Sequence, residues 1–106
     1  MDRLKGMLGL AAKAGALSIG TNNTLAAVKA GKAIMVLLAA DASDNTSKQI
    51  KDKSQFRGVE LHVLPLSMSE FGSAIGKGDC AAAAITDKNF AAFYRRVSDT
   101  TILGGN

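Results

Sequence analysis

The chain contains no tryptophan, one cysteine, one histidine and one proline, and aromatic residues fill only 5% of its 106 positions. A lone thiol, Cys80, allows no internal disulfide. With His62 as the single imidazole, zinc sites built from four cysteines or from two cysteines and two histidines are excluded. No metal or cofactor is expected. Long apolar runs are missing as well: the longest, residues 33–40, has eight residues, far below the roughly 18 needed to cross a bilayer. The stretch Met7-Leu8-Gly9-Leu10-Ala11-Ala12 imitates part of a secretory leader, but Asp2 lies in the would-be basic region and Lys13 follows. The expectation is a cytoplasmic protein with no membrane contact.

What is present is the material of a core. Hydrophobic residues make up 47% of the chain and charged residues 21%, which is not the composition of a disordered segment. A chain of 10.9 kDa favours a single domain, which we place at residues 1–97, and folding at this size buries roughly two-thirds of the surface of the unfolded chain. Thirteen Lys and Arg against nine Asp and Glu give a formal net charge of +4. That excess suits a polyanion such as RNA, because neutralised phosphates release condensed counterions, and it equally suits simple solubility.

Apolar spacing gives the element order. Leu4, Met7, Leu8, Ala11 and Ala14 recur every three or four residues, predicting an amphipathic helix with Asp2 available to cap it and Gly15 to end it. A short extended piece over residues 17–19 leads to Gly20, after which Thr21 is expected to cap a second helix bearing Leu25 and Val28 and ending at Gly31. Residues 33–40 read as a buried central strand that stops at Asp41. Residues 43–57 suit a polar surface helix capped by Ser43, Asp44 or Asn45. Residues 59–64 form a strand closed by Pro65, and Ser67 with Glu70 has the spacing of a capping box that opens a short helix. Residues 80–85 have helical propensity but are bounded at strand length by Gly76, Gly78 and Asp87, so we read a strand. Asp87 caps a last helix with Phe90, Phe93, Tyr94 and Val97 on one stripe, leaving residues 98–106 as a loose tail or short edge strand. Helices alternating with short strands predict the α/β class: a three-layer α/β/α sandwich around a mixed sheet of about four strands.

Several familiar patterns fail on inspection. Gly72-Ser73-Ala74-Ile75-Gly76-Lys77-Gly78 imitates a phosphate-binding loop, but the glycine spacing is one residue short, Gly78 replaces the hydroxyl that would hold magnesium, and the segment follows a helix. His62 has no second ligand nearby in sequence, Cys80 reads as a small buried hydrophobe, and Asp41 and Asp44 suit a strand end and a helix start. No catalytic residue is assigned.

The junction Ser18-Ile19-Gly20-Thr21-Asn22-Asn23-Thr24 is more specific. A glycine turn delivers small polar residues to a helix start, whose unpaired N–H groups carry partial positive charge and attract phosphate. An Asn amide offers a donor and an acceptor to a base edge. Ordinary helix capping explains the same residues, and both uses stay open at this point.

Four blocks in register then resemble the kink-turn-binding ribosomal proteins of the L7Ae and L30e type, in particular short bacterial stand-alone members. They are Leu8-Gly9-Leu10-Ala11-Ala12-Lys13-Ala14-Gly15; Gly20-Thr21-Asn22 with Val28-Lys29-Ala30-Gly31-Lys32-Ala33; Leu37-Leu38-Ala39-Ala40-Asp41-Ala42-Ser43; and the turn Leu64-Pro65. The resemblance covers roughly residues 4–97 and implies an α/β/α sandwich. It further implies that Gly20, Thr21, Asn22 and Asn23 enter the groove of a kinked RNA and meet its sheared G·A pairs. A loop matching Leu64, Pro65, Leu66 and Ser67 would pack on a flipped-out nucleotide, with Ala40 and Asp41 beside it. Lys13, Lys29 and Lys32 could meet phosphates, by their charge and nearness in sequence. The chain departs from the family where an acidic residue is usual, at Asn23, and where a lysine is usual, at Ala26.

The leading expectation is thus a non-catalytic protein that binds structured RNA, ribosomal RNA among the candidates. One rival is a module of the same fold that binds a protein partner and has lost kink-turn recognition. A second is a small-molecule enzyme using Cys80, His62 or Asp41 in a strand-end cleft.

Overall fold

The computed structural model describes the backbone of residues 2–104 and the side chains of residues 3–98. Its elements run α1 (Asp2–Lys13), β1 (Leu17–Ile19), α2 (Thr21–Lys29), β2 (Met35–Leu38), α3 (Asp44–Arg57), β3 (Glu60–Val63), α4 (Met68–Ala74), β4 (Ala82–Ile85) and α5 (Lys88–Gly104). The strands form one sheet in the order β1-β4-β2-β3. β2 runs parallel to β3 and antiparallel to β4, and β1 is antiparallel to β4, so the sheet is mixed as expected.

The layers follow from the two-residue period of a strand. In β2, Met35 and Leu37 enter one apolar cluster with α1, α4 and α5, while Val36 and Leu38 enter a second with α2 and α3. All four are fully buried, each worth about 1.5–3 kcal/mol of transfer free energy. β4 divides in the same way: Ala83 and Ile85 face the first cluster and Ala82 the second. A central strand rich in alanine lets helices approach both of its faces.

Glycine is required by close packing at Gly72 in α4. A Cβ there would lie 1.7 Å from the carbonyl oxygen of Gly78, which clamps the loop 75–79 onto the helix.

Three expectations are corrected. Residues 98–104 are neither tail nor edge strand but continue α5, because no glycine or proline interrupts the chain from Lys88 until Gly104; residues 105–106 lie outside the described residues. The second helix is capped by Gly20, not Thr21, which is its first helical residue. The buried strand is shorter than expected, with β-pairing confined to Met35–Leu38. Among the three candidates for the cap of α3, Ser43 holds the place, its Oγ accepting from the Thr46 N–H at 3.2 Å. Asp87 caps α5 as expected, accepting from the N–H groups of Asn89 and Phe90. The proposed cap at Asp2 falls on a side chain outside those described.

Candidate nucleic-acid interface

Sheet register gathers three of the singled-out segments at one end of the molecule. The ends of β1, β2 and β3 and the start of β4 meet there, because Ile19 pairs with Ala83, and Leu38 with both Ala82 and Val63. Backbone bonds extend the row past the strands: Gly20 N–H to the Ala82 carbonyl at 2.9 Å, Ala39 to Ala81 at 2.8 Å, Leu64 to Leu38 at 2.8 Å and Ala40 to Leu66 at 2.8 Å. Gly20–Asn23, Ala40–Asp41 and Leu64–Ser67 are therefore neighbours along a single edge.

On the β1 side this edge is open. Gly20 has φ 101° and ψ 158°, a region essentially reserved for glycine that other residues enter only with strain. No side chain caps the start of α2. The N–H groups of Thr21, Asn22 and Asn23 have no carbonyl within the helix to reach. No acidic residue stands in the first turn either, so the positive end of the helix dipole is not neutralised locally. Asn22 and Asn23 are exposed. The Asn23 Nδ2 donates to the Ile19 carbonyl at 2.8 Å, which orients the amide and leaves Oδ1 as an acceptor. Thr24 sits completely buried beneath, its hydroxyl donating to the Gly20 carbonyl at 2.7 Å. The sequence grouped Thr24 with the polar residues of this helix start, and its burial is a finding of the fold, since a threonine one turn into a helix carries no signal of burial.

The β3 side is closed. Leu64 and Leu66 are buried in the larger core cluster, so of the expected loop only Pro65 is fully exposed. The Ser67 Oγ accepts from the Glu70 N–H at 3.0 Å while the Glu70 carboxylate accepts from the Ser67 N–H at 2.9 Å, a complete capping box. Asp41, though exposed, spends its Oδ1 on the Met68 N–H at 2.7 Å. The Ser67 backbone bond holds the Glu70 carboxyl below its ordinary pKa.

The cations are distributed around the open side. Lys13 lines a recess with Ile19, Ser73 and Lys77 between the ends of α1 and α4. Lys77 belongs to the segment rejected as a phosphate-binding loop, and its place beside Ile19 becomes visible only in three dimensions. Lys32 lines a groove between β1 and α2 together with Ser18, Asn23 and Ala26. Lys29 is exposed on α2 seven residues from Asn22, a spacing that returns to nearly the same helix face about 10 Å along the axis.

The groups weighed for catalysis are engaged separately. The Cys80 Sγ is buried and donates to the Ala82 carbonyl at 3.2 Å, and burial pushes its thiol pKa up. His62 is held by the Glu60 carboxylate at 2.6 Å and makes a T-shaped ring contact with Tyr94, the centroids 5.0 Å apart. Arg95 reaches the other oxygen of Glu60 at 2.7 Å, and the bonds from Arg95 and then His62 lower the Glu60 pKa to about 2. Among the described residues no three His, Cys, Asp or Glu side chains converge in a way that could hold a metal ion, and no helix is long and apolar enough to cross a membrane.

Comparison with known proteins places this geometry in context. The sequence model of the ribosomal protein L7Ae/L30e/S12e/Gadd45 family matches residues 2–93. A protein of Enterococcus faecium named RNA-binding protein YlxQ is 42% identical over 71 residues, covering 67% of this chain and 68% of that one. A protein of the same name from Bacillus subtilis strain 168 is 34% identical over 85 residues, covering 80% and 84%. Among solved structures, a Bacillus halodurans protein of unknown function superposes with a TM-score of 0.77 at 29% identity, over 87% of this chain and 96% of that one. The Giardia lamblia 15.5 kD RNA binding protein superposes with a TM-score of 0.72 at 23% identity, over 92% and 86%, a likeness of fold.

Proposed function

The chain belongs to the ribosomal protein L7Ae/L30e/S12e/Gadd45 family, and from that premise we propose that it binds structured RNA of the kink-turn type, without catalysis, through the open start of α2. The observation that carries this reading is the uncapped helix N-terminus: three N–H groups and two exposed Asn amides stand on a glycine turn with no acidic residue beside them. Such a surface suits phosphate oxygens and base edges. Two relatives bearing the name RNA-binding protein support it.

Phosphate contacts from Lys13, Lys32 and Lys77 would set the position of the duplex, while Asn22 and Asn23 read the exposed edges of the internal loop. Ala26 offers no ammonium to a guanine, a contact worth about 1–3 kcal/mol in comparable readout. Asn23 keeps an acceptor and lacks a negative charge. The expected affinity for a kink turn is accordingly lower than that of a relative carrying Glu and Lys at these positions. Pro65, the exposed point of the neighbouring loop, is the surface left for a flipped-out base. Ribosomal RNA and other structured RNAs share this chemistry, and the cytoplasm is where the protein would meet them.

A titration decides the matter. Kink-turn RNA, the same RNA with its G·A pairs replaced, and a series of salt concentrations should give tighter binding to the intact kink turn and an affinity that falls steadily with salt. Equal affinity for both RNAs would reject kink-turn recognition. Absence of binding at low salt would reject RNA as the ligand and favour the protein-partner reading.

A further inference from the structure

The layer formed by α2 and α3 carries a feature that the start of α2 does not use. Phe56, in the last turn of α3, is 80% exposed, more than any other large hydrophobic side chain described. It lines an open groove of about 540 Å³ with Leu25 of α2 and with Gln49, Asp52 and Lys53 of its own helix. The guanidinium carbon of Arg57 lies 5.8 Å from the centre of the Phe56 ring. α3 brings four cations, Lys48, Lys51, Lys53 and Arg57, against two carboxylates, Asp44 and Asp52, and Asp52 is already paired with Lys48 at 3.7 Å. Lys29 stands one turn beyond Leu25 on α2 and is exposed.

We propose that this groove is a second nucleic-acid contact, in which an unpaired ribonucleotide base stacks on Phe56 while its phosphates meet Lys53 and Arg57. The ring, still 80% exposed beside Arg57, calls for a flat apolar partner and the cations call for an anion. A nucleotide supplies both in one ligand, and every base presents a π-face, so the contact tolerates any sequence. The amide of Gln49 adds a donor and an acceptor at the edge of the groove. An acidic peptide would satisfy the cations and leave the ring in water. A docking protein helix would cover the ring and leave Lys53 and Arg57 without an anion. The contact is independent of the start of α2 and of kink-turn recognition.

The test uses the full chain and a hexauridylate with 2-aminopurine at its third position, too short to form a kink turn. Binding should quench the 2-aminopurine fluorescence and weaken with salt. Phe56→Ala should lower the affinity roughly tenfold and remove the quench, Phe56→Tyr should restore both, and Asn22→Ala with Asn23→Ala should leave the quench in place. Because Phe56 is exposed, its removal leaves the core untouched. The proposal is overturned if the oligonucleotide does not bind, if Phe56→Ala binds and quenches like the parent chain, or if the Asn double variant abolishes the quench. Self-association that disappears in Phe56→Ala, seen by sedimentation, would assign the groove to a second copy of the chain and overturn it as well.

Discussion

The starts of α2 and α4 lie along the same end of the sheet, yet one is open and the other sealed. At α4, the Ser67 hydroxyl, the Glu70 carboxylate and the Asp41 carboxylate accept from the N–H groups of Glu70, Ser67 and Met68, and Glu70 offsets the helix dipole. At α2, a glycine in a strained region replaces the capping residue and nothing answers the dipole. Both ends obey the same need to satisfy four backbone donors. The difference teaches that polar residues at a helix start divide by whether their partners are internal. Asp41 and Ser67, grouped with the RNA-facing residues by the family resemblance, spend hydrogen bonds inside the protein, while Asn22 is left facing solvent.

The largest effect on the fold is expected at Gly72, within α4. Replacing it by Ala drives a methyl group into the Gly78 carbonyl oxygen, and we expect a loss of about 3 kcal/mol in urea unfolding; a stability within about 0.5 kcal/mol of the parent chain would show that the loop 75–79 is free to move. The open side breaks through function. Asn22→Ala with Asn23→Ala should lower affinity for kink-turn RNA by about tenfold or more while costing less than about 1 kcal/mol of stability, read by titration and unfolding on the same samples.

The reverse pattern is expected at the other helix. Ser67→Ala should cost about 1 kcal/mol of stability and leave RNA affinity within about twofold, so that the two variants together separate a structural cap from a recognition surface. The smallest effect concerns Glu60 on edge strand β3. Its carboxyl is lowered from 4.5 to about 2 by Arg95 and His62, so the stability it contributes is complete above about pH 4.5 and is lost as pH falls toward 2. The group is well exposed and solvent screens it. Glu60→Gln should therefore flatten the acid limb of the stability curve only slightly, and an unchanged limb would show that the pair contributes nothing.

Much of the fold could be read from local pattern, because its signals are local. The capping box at Ser67, the Asp87 cap and the two-faced burial of β2 depend on residues within a few positions of one another. The order β1-β4-β2-β3 depends on pairings between distant segments and left no mark on the sequence. The helical course of residues 98–104 escaped because Thr100, Thr101 and Gly104 weaken propensity without stopping a helix already begun. At the candidate site, Gly20 and the Asn pair were legible as turn chemistry. The inward turn of Leu66 was hidden, because a loop next to proline reads as surface until the core it caps is seen. Lys77 joined Lys13 and Ile19 only through the packing of α4 against α1.

The most direct measurement of the central claim is an NMR titration of isotope-labelled protein with kink-turn RNA, following backbone amides. The open helix start predicts the largest shifts at the N–H groups of Thr21, Asn22 and Asn23, with Met68 and Glu70 little changed. Undisturbed amides at residues 21–23, in a complex formed through another surface, would contradict it.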